Sequence, residues 1–555
     1  MKLVIVESPG KISTISKILG DEFKVIASYG HIVEIPPKGI NIDLESGSFN
    51  PTIRFMKEKN DVIRMIRSAS EMSELVYLCT DSDREGERIA FDLAFLVKDK
   101  SKIRRAAFHE ITKKAVLNAI NNTREIDMDL VNSQFARQIL DRMIGYLVSP
   151  LLWRSVPGGK SAGRVQSAAL KLVADRESEI EAFDVDQFWD ISVCFDYGNN
   201  VICGITRTEE KGNRFIDKDK AKEVESIIKN SNPVVKGMKR KRISKIPSPP
   251  FDTASMQKYM STKHGWSGKK TMEVAQKLYE GGFCTYHRTD SFAVSDEAYK
   301  IFTEHISSNI GEGYVPKERR SFKKKTKSQE AHECIRPTAI FSGDWVKESL
   351  GSEEQKLFEA IYNRFMASQM SNMTYDKTIG IVECDSCEVI IEGKVIVFDG
   401  WTKIWGIDGK ETLLPAISRG EKLDVNDVII REHKTRAPDR YNDGSLVSKM
   451  EKEGVGRPST WASLLDQMEK RGYVTKGNNK FNLTSLGRRV SNFLIKKFDT
   501  SFMNIDFTSR VESELDKVSN GEADKTNVIK EFYSSFKDIV YRENNATWVG
   551  SFNQK

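Results

Sequence analysis

Two short apolar runs, Leu3 to Val6 (LVIV) and Leu75 to Cys79 (LVYLC), each break off at acidic residues, and this pairing limits the fold of the N-terminal part sharply. Uninterrupted apolar runs of this length suit parallel strands covered on both faces, so an α/β unit is predicted. The first run delivers Glu7 at its carboxyl end, and Ser8, Pro9 and Gly10 then turn the chain. Pro9 suits a first helical position, which puts Lys11 in the opening turn beside amide donors that favour anions. The second run ends in TDSDREGE, Thr80 to Glu87. Alternating acids at a strand end, Asp81, Asp83 and Glu85, bring together the oxygen ligands that Mg²⁺ requires, since it takes few carboxylates and keeps waters. Acids at a helix start also complement the helix dipole, and for any single one of them both accounts serve.

A second stretch, Leu278 to Ser291 (LYEGGFCTYHRTDS), carries a possible nucleophile. Helix formers run through MEVAQKLYE, Gly281 and Gly282 supply a left-handed C-cap, and Phe283 to Tyr286 alternate as a strand would. In a strand, Tyr286 and Arg288 share a face. A phenol attacking a phosphodiester loses its proton while the phosphorane gathers negative charge, so a guanidinium one strand repeat away is a fitting partner. Taken alone, the pair reads better as a packed tyrosine beside a solvated arginine, which is the commoner arrangement.

At 555 residues the chain is too long for one core, and several domains are expected. With 39% hydrophobic and 30% charged residues it has a globular composition. No apolar run approaches the roughly 20 residues of a membrane helix, and the N-terminus meets Glu7 too early for a secretory signal, so an intracellular protein is expected. Net charge is +7, with basic runs at Lys236 to Lys245 and Lys317 to Lys327 that suit either a phosphate backbone or a solvated loop. Seven cysteines with no framework spacing are expected to be free thiols. Cys384 and Cys387 form a lone CxxC, better explained by a hairpin turn at Asp385 and Ser386 than by zinc.

Helical periodicity fills the region from about Asp127 to Ala182, interrupted by Pro150 and by Gly158-Gly159. Arg137, Asp141 and Arg142 fall on nearby turns, as do Arg164 and Gln166, and spacing alone favours a surface ion-pair network. From about Phe183 the texture turns to short alternating runs, and it returns from Lys377 to Ile430, as two halves of one β-domain. Between them lies the tyrosine segment, in which His332 and Arg336 are predicted on a helix before Pro337. Further on, Leu446 to Thr484 reads as helix, turn, helix and a hairpin around Gly477-Asn478-Asn479, a winged-helix-like unit with Ser459 or Thr460 as N-cap. AQKLYEGGFCTY echoes LDQMEKRGYVTK within it, so the tyrosine segment is expected to share the design. Gly454 and Gly456 follow no strand and are not a dinucleotide site, and no GxxxxGK[ST] occurs, so ATP use is unsupported.

Over nearly the whole chain these stretches resemble type IA DNA topoisomerases. TDSDREGERIA and the Glu7 strand are similar to that family's Toprim domain, and LYEGGFCTYHRTDS to its active-site segment. DRMIGYLVSPLLW, SAGRVQSAAL, QEAHECIRP and GVGRPSTWASLL resemble further family segments. The resemblance implies a multidomain α/β plus α and β fold: a Toprim domain (1–126), a helical DNA-groove domain (127–182 and 441–540), a split β-arch (183–246 and 373–440) and an inserted winged-helix-like domain (247–372) forming a torus, with a tail at 541–555. It also implies Tyr286, Arg288, Glu7 and Lys11 as catalytic residues, and Asp81, Asp83 and Glu85 as ligands of Mg²⁺. Arg137, Asp141, Arg164, Gln166, His332, Arg457 and Thr460 are implied to contact DNA. The implied substrate is single-stranded and negatively supercoiled DNA, handled in the cytoplasm at the nucleoid by an ATP-independent monomer. No cysteine-rich zinc ribbons occur before Asn553, unlike in many bacterial relatives. Two rivals are a decatenating relative of the topoisomerase III kind and an idle single-strand binding protein that uses basic grooves and aromatics such as Trp153 and Trp461.

Overall fold

The computed structural model describes residues 1–210, 212–322, 332–407 and 409–544. Near the N-terminus, Lys2–Val6 pairs in parallel with Phe23–Ala27 on one side and with Val76–Leu78 on the other, and Ile103–Arg105 completes a four-stranded parallel sheet. Leu3, Val4, Ile5 and Val6 are fully buried, as strands covered on both faces must be. Pro9 has helical dihedrals immediately before the helix Gly10–Leu19. Asp83 caps the helix Arg84–Ala94 by accepting from the Gly86 amide. Gly86 is required there, because a Cβ would stand 2.3 Å from the Asp81 carbonyl oxygen.

The predicted helical region forms Met128–Leu147, capped by the Asp127 carboxylate, then Ser149–Ser155 and Arg164–Glu181. Pro150 interrupts the region as expected, since the first helix ends at Leu147 and Val148 is a turn. It lies in the first turn of Ser149–Ser155, where a missing amide costs nothing, and a second break falls at Gly158-Gly159. These helices pack with Ile505–Ser519 and Lys525–Ser534 around Leu140, Met143, Leu172 and Leu515.

The two β-textured stretches interleave in one six-stranded sheet. Its order is Asp424–Lys434, Gln187–Tyr197, Asn200–Thr206, Cys387–Phe398, Met373–Cys384 and Val234–Lys245. Ala221 and Ile228 of an unforeseen helix, Lys218–Lys229, join the core of that sheet. Cys384 and Cys387 face each other across a two-residue hairpin, as expected, with Asp385 at positive φ. The free-thiol expectation fails at one pair: Cys194 and Cys203, directly opposite on adjacent strands, form a disulfide. Cross-strand register brings together two cysteines that sequence spacing does not pair. The first basic run lies on the edge strand Val234–Lys245, where Arg240 and Arg242 both clamp the buried Asp376 carboxylate. Part of the second run lies outside the described residues.

Two helix pairs repeat one local plan. Asp252 and Ser255 form a capping box at Thr253–His264, which leads to Gly268–Glu280. Asn442 and Ser445 do the same at Asp443–Lys452, which leads to Trp461–Lys470. The pairs pack on each other through Gly444, where a Cβ would lie 2.4 Å from Lys258 Cα. The second pair continues into the expected hairpin, Val474–Gly477 with Lys480–Leu483, and Asn478 and Asn479 at positive φ make its tight turn. The first pair does not. Phe283 to Tyr286 form no regular strand, because their partner is not a following hairpin: Cys284 bridges Pro337 and Phe251 bridges Ile335. His332 to Arg336 is accordingly extended rather than helical. Pro337 disfavours helix at Arg336, and the rung at Ile335 takes the backbone instead.

Candidate active site

Gly282, at φ +78, turns the chain sharply after Gly268–Glu280, and a Cβ on it would meet the Ile111 carbonyl oxygen at 2.6 Å. This close approach sets the tyrosine segment against the carboxyl ends of the parallel strands. The Tyr286 amide donates to the His109 carbonyl, and its phenol donates to Asp83 Oδ2 at 2.8 Å. The tyrosine is only 2% exposed. Burial, then Asp83 and Asp81, push its phenol well above the ordinary value, while Arg288 pulls it down. Arg288 donates to Glu85 Oε2 at 3.0 Å and lies 4.0 Å from Asp83. The Tyr286 phenol and the surrounding carboxylates hold its guanidinium charge firmly in place.

Behind the tyrosine, buried Lys11 forms a tight ion pair with Asp81 and lies 3.6 Å from Glu7. Burial and then Asp81 push the Glu7 carboxyl well up. Against the upward push of burial, Lys11 keeps Asp81 charged. Two further groups close the site. His332 Nε2 meets the Ser82 carbonyl at 3.2 Å and its ring lies 5.7 Å from that of Tyr286. His109 Nδ1 meets Ser82 Oγ at 2.9 Å, and burial lowers its imidazole to about 4.

Asp81, Asp83 and Glu85 do not converge in this structure. Asp81 is engaged by Lys11 and Tyr279, Asp83 by the helix start and Tyr286, and Glu85 by Arg288 and His31. Among the described residues no three carboxylate, histidine or cysteine side chains gather as a ready metal shell. The donor chemistry nonetheless fits Mg²⁺: the hard anionic oxygens of Asp81, Asp83 and Glu85 lie at one strand end.

A cavity of about 370 Å³ leads from Asp83, Glu85 and Arg288 to Arg84, Arg137 and Arg457. Its floor is built on one carboxylate, Glu512, which is fully buried. Arg164 reaches Glu512 at 2.6 Å and Arg457 at 3.8 Å, while Arg457 and Arg84 meet Asp516 at 2.5 and 3.4 Å. Arg137 donates to Thr460 Oγ1 at 3.1 Å. Thr460 stands at the N-cap position of Trp461–Lys470, but its side chain does not cap the helix, and receives Arg137 and the Arg457 amide instead. Despite burial, the arginines hold Glu512 far below the usual carboxylate range. Arg164 is wholly buried and 3.5 Å from Asp141, so it shapes the floor from beneath. Asp141 and Gln166 line an adjoining cavity of about 860 Å³ with Tyr146 and exposed Trp153, whereas Trp461 is buried in the core.

Sequence reasoning missed His31, Tyr279, Glu512 and Asp516. Helical spacing could have flagged Glu512 and Asp516, four residues apart on an otherwise amphipathic helix. His31 and Tyr279 carried no local signal.

Comparison with known proteins agrees with this construction. Residues 2–111 match the family model of the Toprim domain, and residues 125–530 that of DNA topoisomerase. DNA topoisomerase 1 of Rickettsia felis is 39% identical over all of this chain and 75% of its own length. That of Escherichia coli is 36% identical over 96% of this chain and 66% of its own length. The full-length topoisomerase I structure from Thermotoga maritima superposes with a TM-score of 0.87 at 37% identity, covering 98% of this chain and 90% of that one. The fold is thus the expected multidomain, torus-like one, with Toprim, helical, β-arch and winged-helix-like parts. A chain matched by this family model over most of its length, and by such relatives over nearly all of it, belongs to the bacterial type IA DNA topoisomerases and is an enzyme of that family.

Proposed function

We propose that the enzyme cuts one DNA strand by transesterification at Tyr286, passes a second strand through the break and reseals it, relaxing negatively supercoiled DNA. The observation that carries this reading is the hydrogen bond from the Tyr286 phenol to Asp83, with Arg288 alongside. Asp83 takes the phenol proton as the oxygen attacks phosphorus. Arg288 offsets the charge gathering on the phosphoryl oxygens. The 3′-oxygen leaves, protonated from the Lys11 and Glu7 pair, and the 5′ end stays on Tyr286 as a phosphotyrosine ester. Religation is the reverse. One phosphoester replaces another, so no ATP is consumed, and torsional stress in the DNA drives net relaxation.

The strand entering the site lies over the arginine-rich floor, with Arg137, Arg457 and Thr460 toward its backbone, Arg164 behind them, and Asp141 and Gln166 at the adjoining cavity. His332 flanks the scissile phosphate. Mg²⁺, when bound, would be held by Asp81, Asp83 and Glu85 with water completing its shell, and would supply positive charge beside the phosphate. The enzyme acts on chromosomal DNA as a monomer at the nucleoid; among the described residues no helix is long and apolar enough to cross a membrane.

The test uses end-labelled single-stranded oligonucleotides, with the enzyme denatured during turnover. The 3′ label, and not the 5′ label, is expected to become attached to protein, and Tyr286→Phe is expected to abolish attachment without loss of fold. Cleavage by the Phe variant would refute the assignment of the nucleophile. Binding with no attachment of either label would leave a single-strand binding protein.

A further inference from the structure

The acidic site holds a second buried tyrosine. Tyr279, on the last turn of Gly268–Glu280, is fully buried and donates to Asp81 Oδ1 at 3.3 Å. Lys11 Nζ, the other partner of that oxygen, stands 5.3 Å from the centre of the Tyr279 ring. The same ring meets the Tyr286 ring edge-on, with centroids 5.2 Å apart. Two phenols seven residues apart therefore each donate to a carboxylate of one short stretch, Tyr279 to Asp81 and Tyr286 to Asp83. Tyr279 touches both Asp81 and Lys11, the ion pair behind Tyr286.

The placement of Tyr279 is fixed by its neighbour in sequence. Glu280 packs so closely on the Toprim helix that a Cβ on Gly10 would stand 1.9 Å from its carboxylate, and its backbone carbonyl accepts from Thr14 at 3.1 Å. These contacts seat the end of the helix one residue from Lys11. The ring of Tyr279 then closes the space between Lys11 and Tyr286, and its hydroxyl shares the oxygen that orients the ammonium.

We propose that Tyr279 is a positioning residue for strand cleavage: its hydroxyl and ring together fix the Lys11 and Asp81 pair against the Tyr286 nucleophile. It is given no bond to DNA: the nucleophile is Tyr286, and Tyr279 acts through the Lys11 and Asp81 pair. This rests on the transesterification reading above. Since the same pair serves attack and resealing, its loss slows both directions together.

The experiment compares wild type, Tyr279→Phe, Tyr279→Leu and Tyr286→Phe on a labelled single-stranded oligonucleotide, measuring single-turnover cleavage, resealing, Kd and the thermal unfolding midpoint. Tyr279→Phe is expected to keep Kd and midpoint while cleavage and resealing each slow about tenfold, as loss of a hydrogen bond to a charged group predicts, so that the equilibrium fraction of covalent complex holds constant. Tyr279→Leu, which also loses the ring contacts, is expected to be slower still. A Phe variant that cleaves at the wild-type rate overturns the inference, as does a loss confined to Kd or to the unfolding midpoint. Label appearing on Tyr279 in the Tyr286→Phe chain overturns it as well. If wild type itself never becomes labelled, the transesterification reading falls and takes this inference with it; a labelled wild type with an indifferent Phe variant removes the inference alone.

Discussion

The tyrosine cleft and the groove floor share a cavity and are built on opposite principles. In the cleft, Glu7, Asp81, Asp83 and Glu85 outnumber Lys11 and Arg288, and two phenols donate to the carboxylates. In the floor, Arg84, Arg137, Arg164 and Arg457 outnumber Glu512 and Asp516. On the proposed reading, a DNA strand settles on the floor unaided, whereas the cleft repels it unless positive charge is added. On the proposed mechanism, affinity and chemistry are thereby separated in space: the strand is held by one end of the cavity and cut at the other. Glu512 has a further part, because without it the arginines would repel one another in a buried setting.

That contrast can be broken from the floor. Glu512→Gln leaves several buried guanidinium groups without their central partner, and a loss of about 3–5 kcal/mol in stability is expected. Denaturant unfolding of the full chain measures it, and a loss below ~1 kcal/mol would mean that the arginines are solvated rather than held. From the cleft, Arg288→Ala is expected to slow cleavage about 10²- to 10³-fold, the usual effect of removing one transition-state donor. Oligonucleotide affinity should change little, since the floor remains intact. A fall in affinity comparable to the fall in rate would erase the division of labour.

Two smaller effects sharpen the comparison. Arg137→Ala is expected to weaken single-strand binding about tenfold and to reduce the salt dependence by about one counterion, as titrations at several ionic strengths would report. His31 lies between the two regions, 3.7 Å from Glu85 and 3.8 Å from Asp92. Although burial opposes its charge, Asp92 and Glu85 lift its imidazole to about 9. A raised value means that the stability it lends is complete below the ordinary imidazole pKa and is lost as pH rises through about 9. The gap in unfolding midpoint between wild type and His31→Gln should therefore close between about pH 6 and the alkaline side of that value. A gap that widens with pH would reverse the sign.

Most of the cleft was legible because its residues follow strand ends and glycine turns, features written in a few consecutive letters. Glu7, Lys11 and the acidic stretch stood out where apolar runs stop, whereas Tyr286, a packed tyrosine when read alone, was singled out by the resemblance to type IA topoisomerases. The strand expected at Phe283 to Tyr286 and the helix expected at His332 to Arg336 failed together, for one reason. Each segment's partner is the other, some 50 residues away, and no local pattern records that pairing. The floor was half legible: Arg137 and Arg457 stood in recognisable stretches, but their counter-charge comes from Ile505–Ser519, remote in sequence. The disulfide was missed on the same ground, since strand register alone sets Cys194 opposite Cys203.

The insertion of the tyrosine segment into the β-arch has a mechanical consequence. The chain leaves the sheet at Lys245 and re-enters at Met373, residues paired on adjacent strands, so two crossings stand side by side. Such a mounting behaves as a door on two pins: bending about their common line is soft, while twisting is resisted. A pull on the tyrosine unit loads both strands in one direction and shears Met373–Cys384 along its full ladder with Cys387–Phe398, rather than peeling rungs singly. A load on the tyrosine unit is thus carried by the sheet.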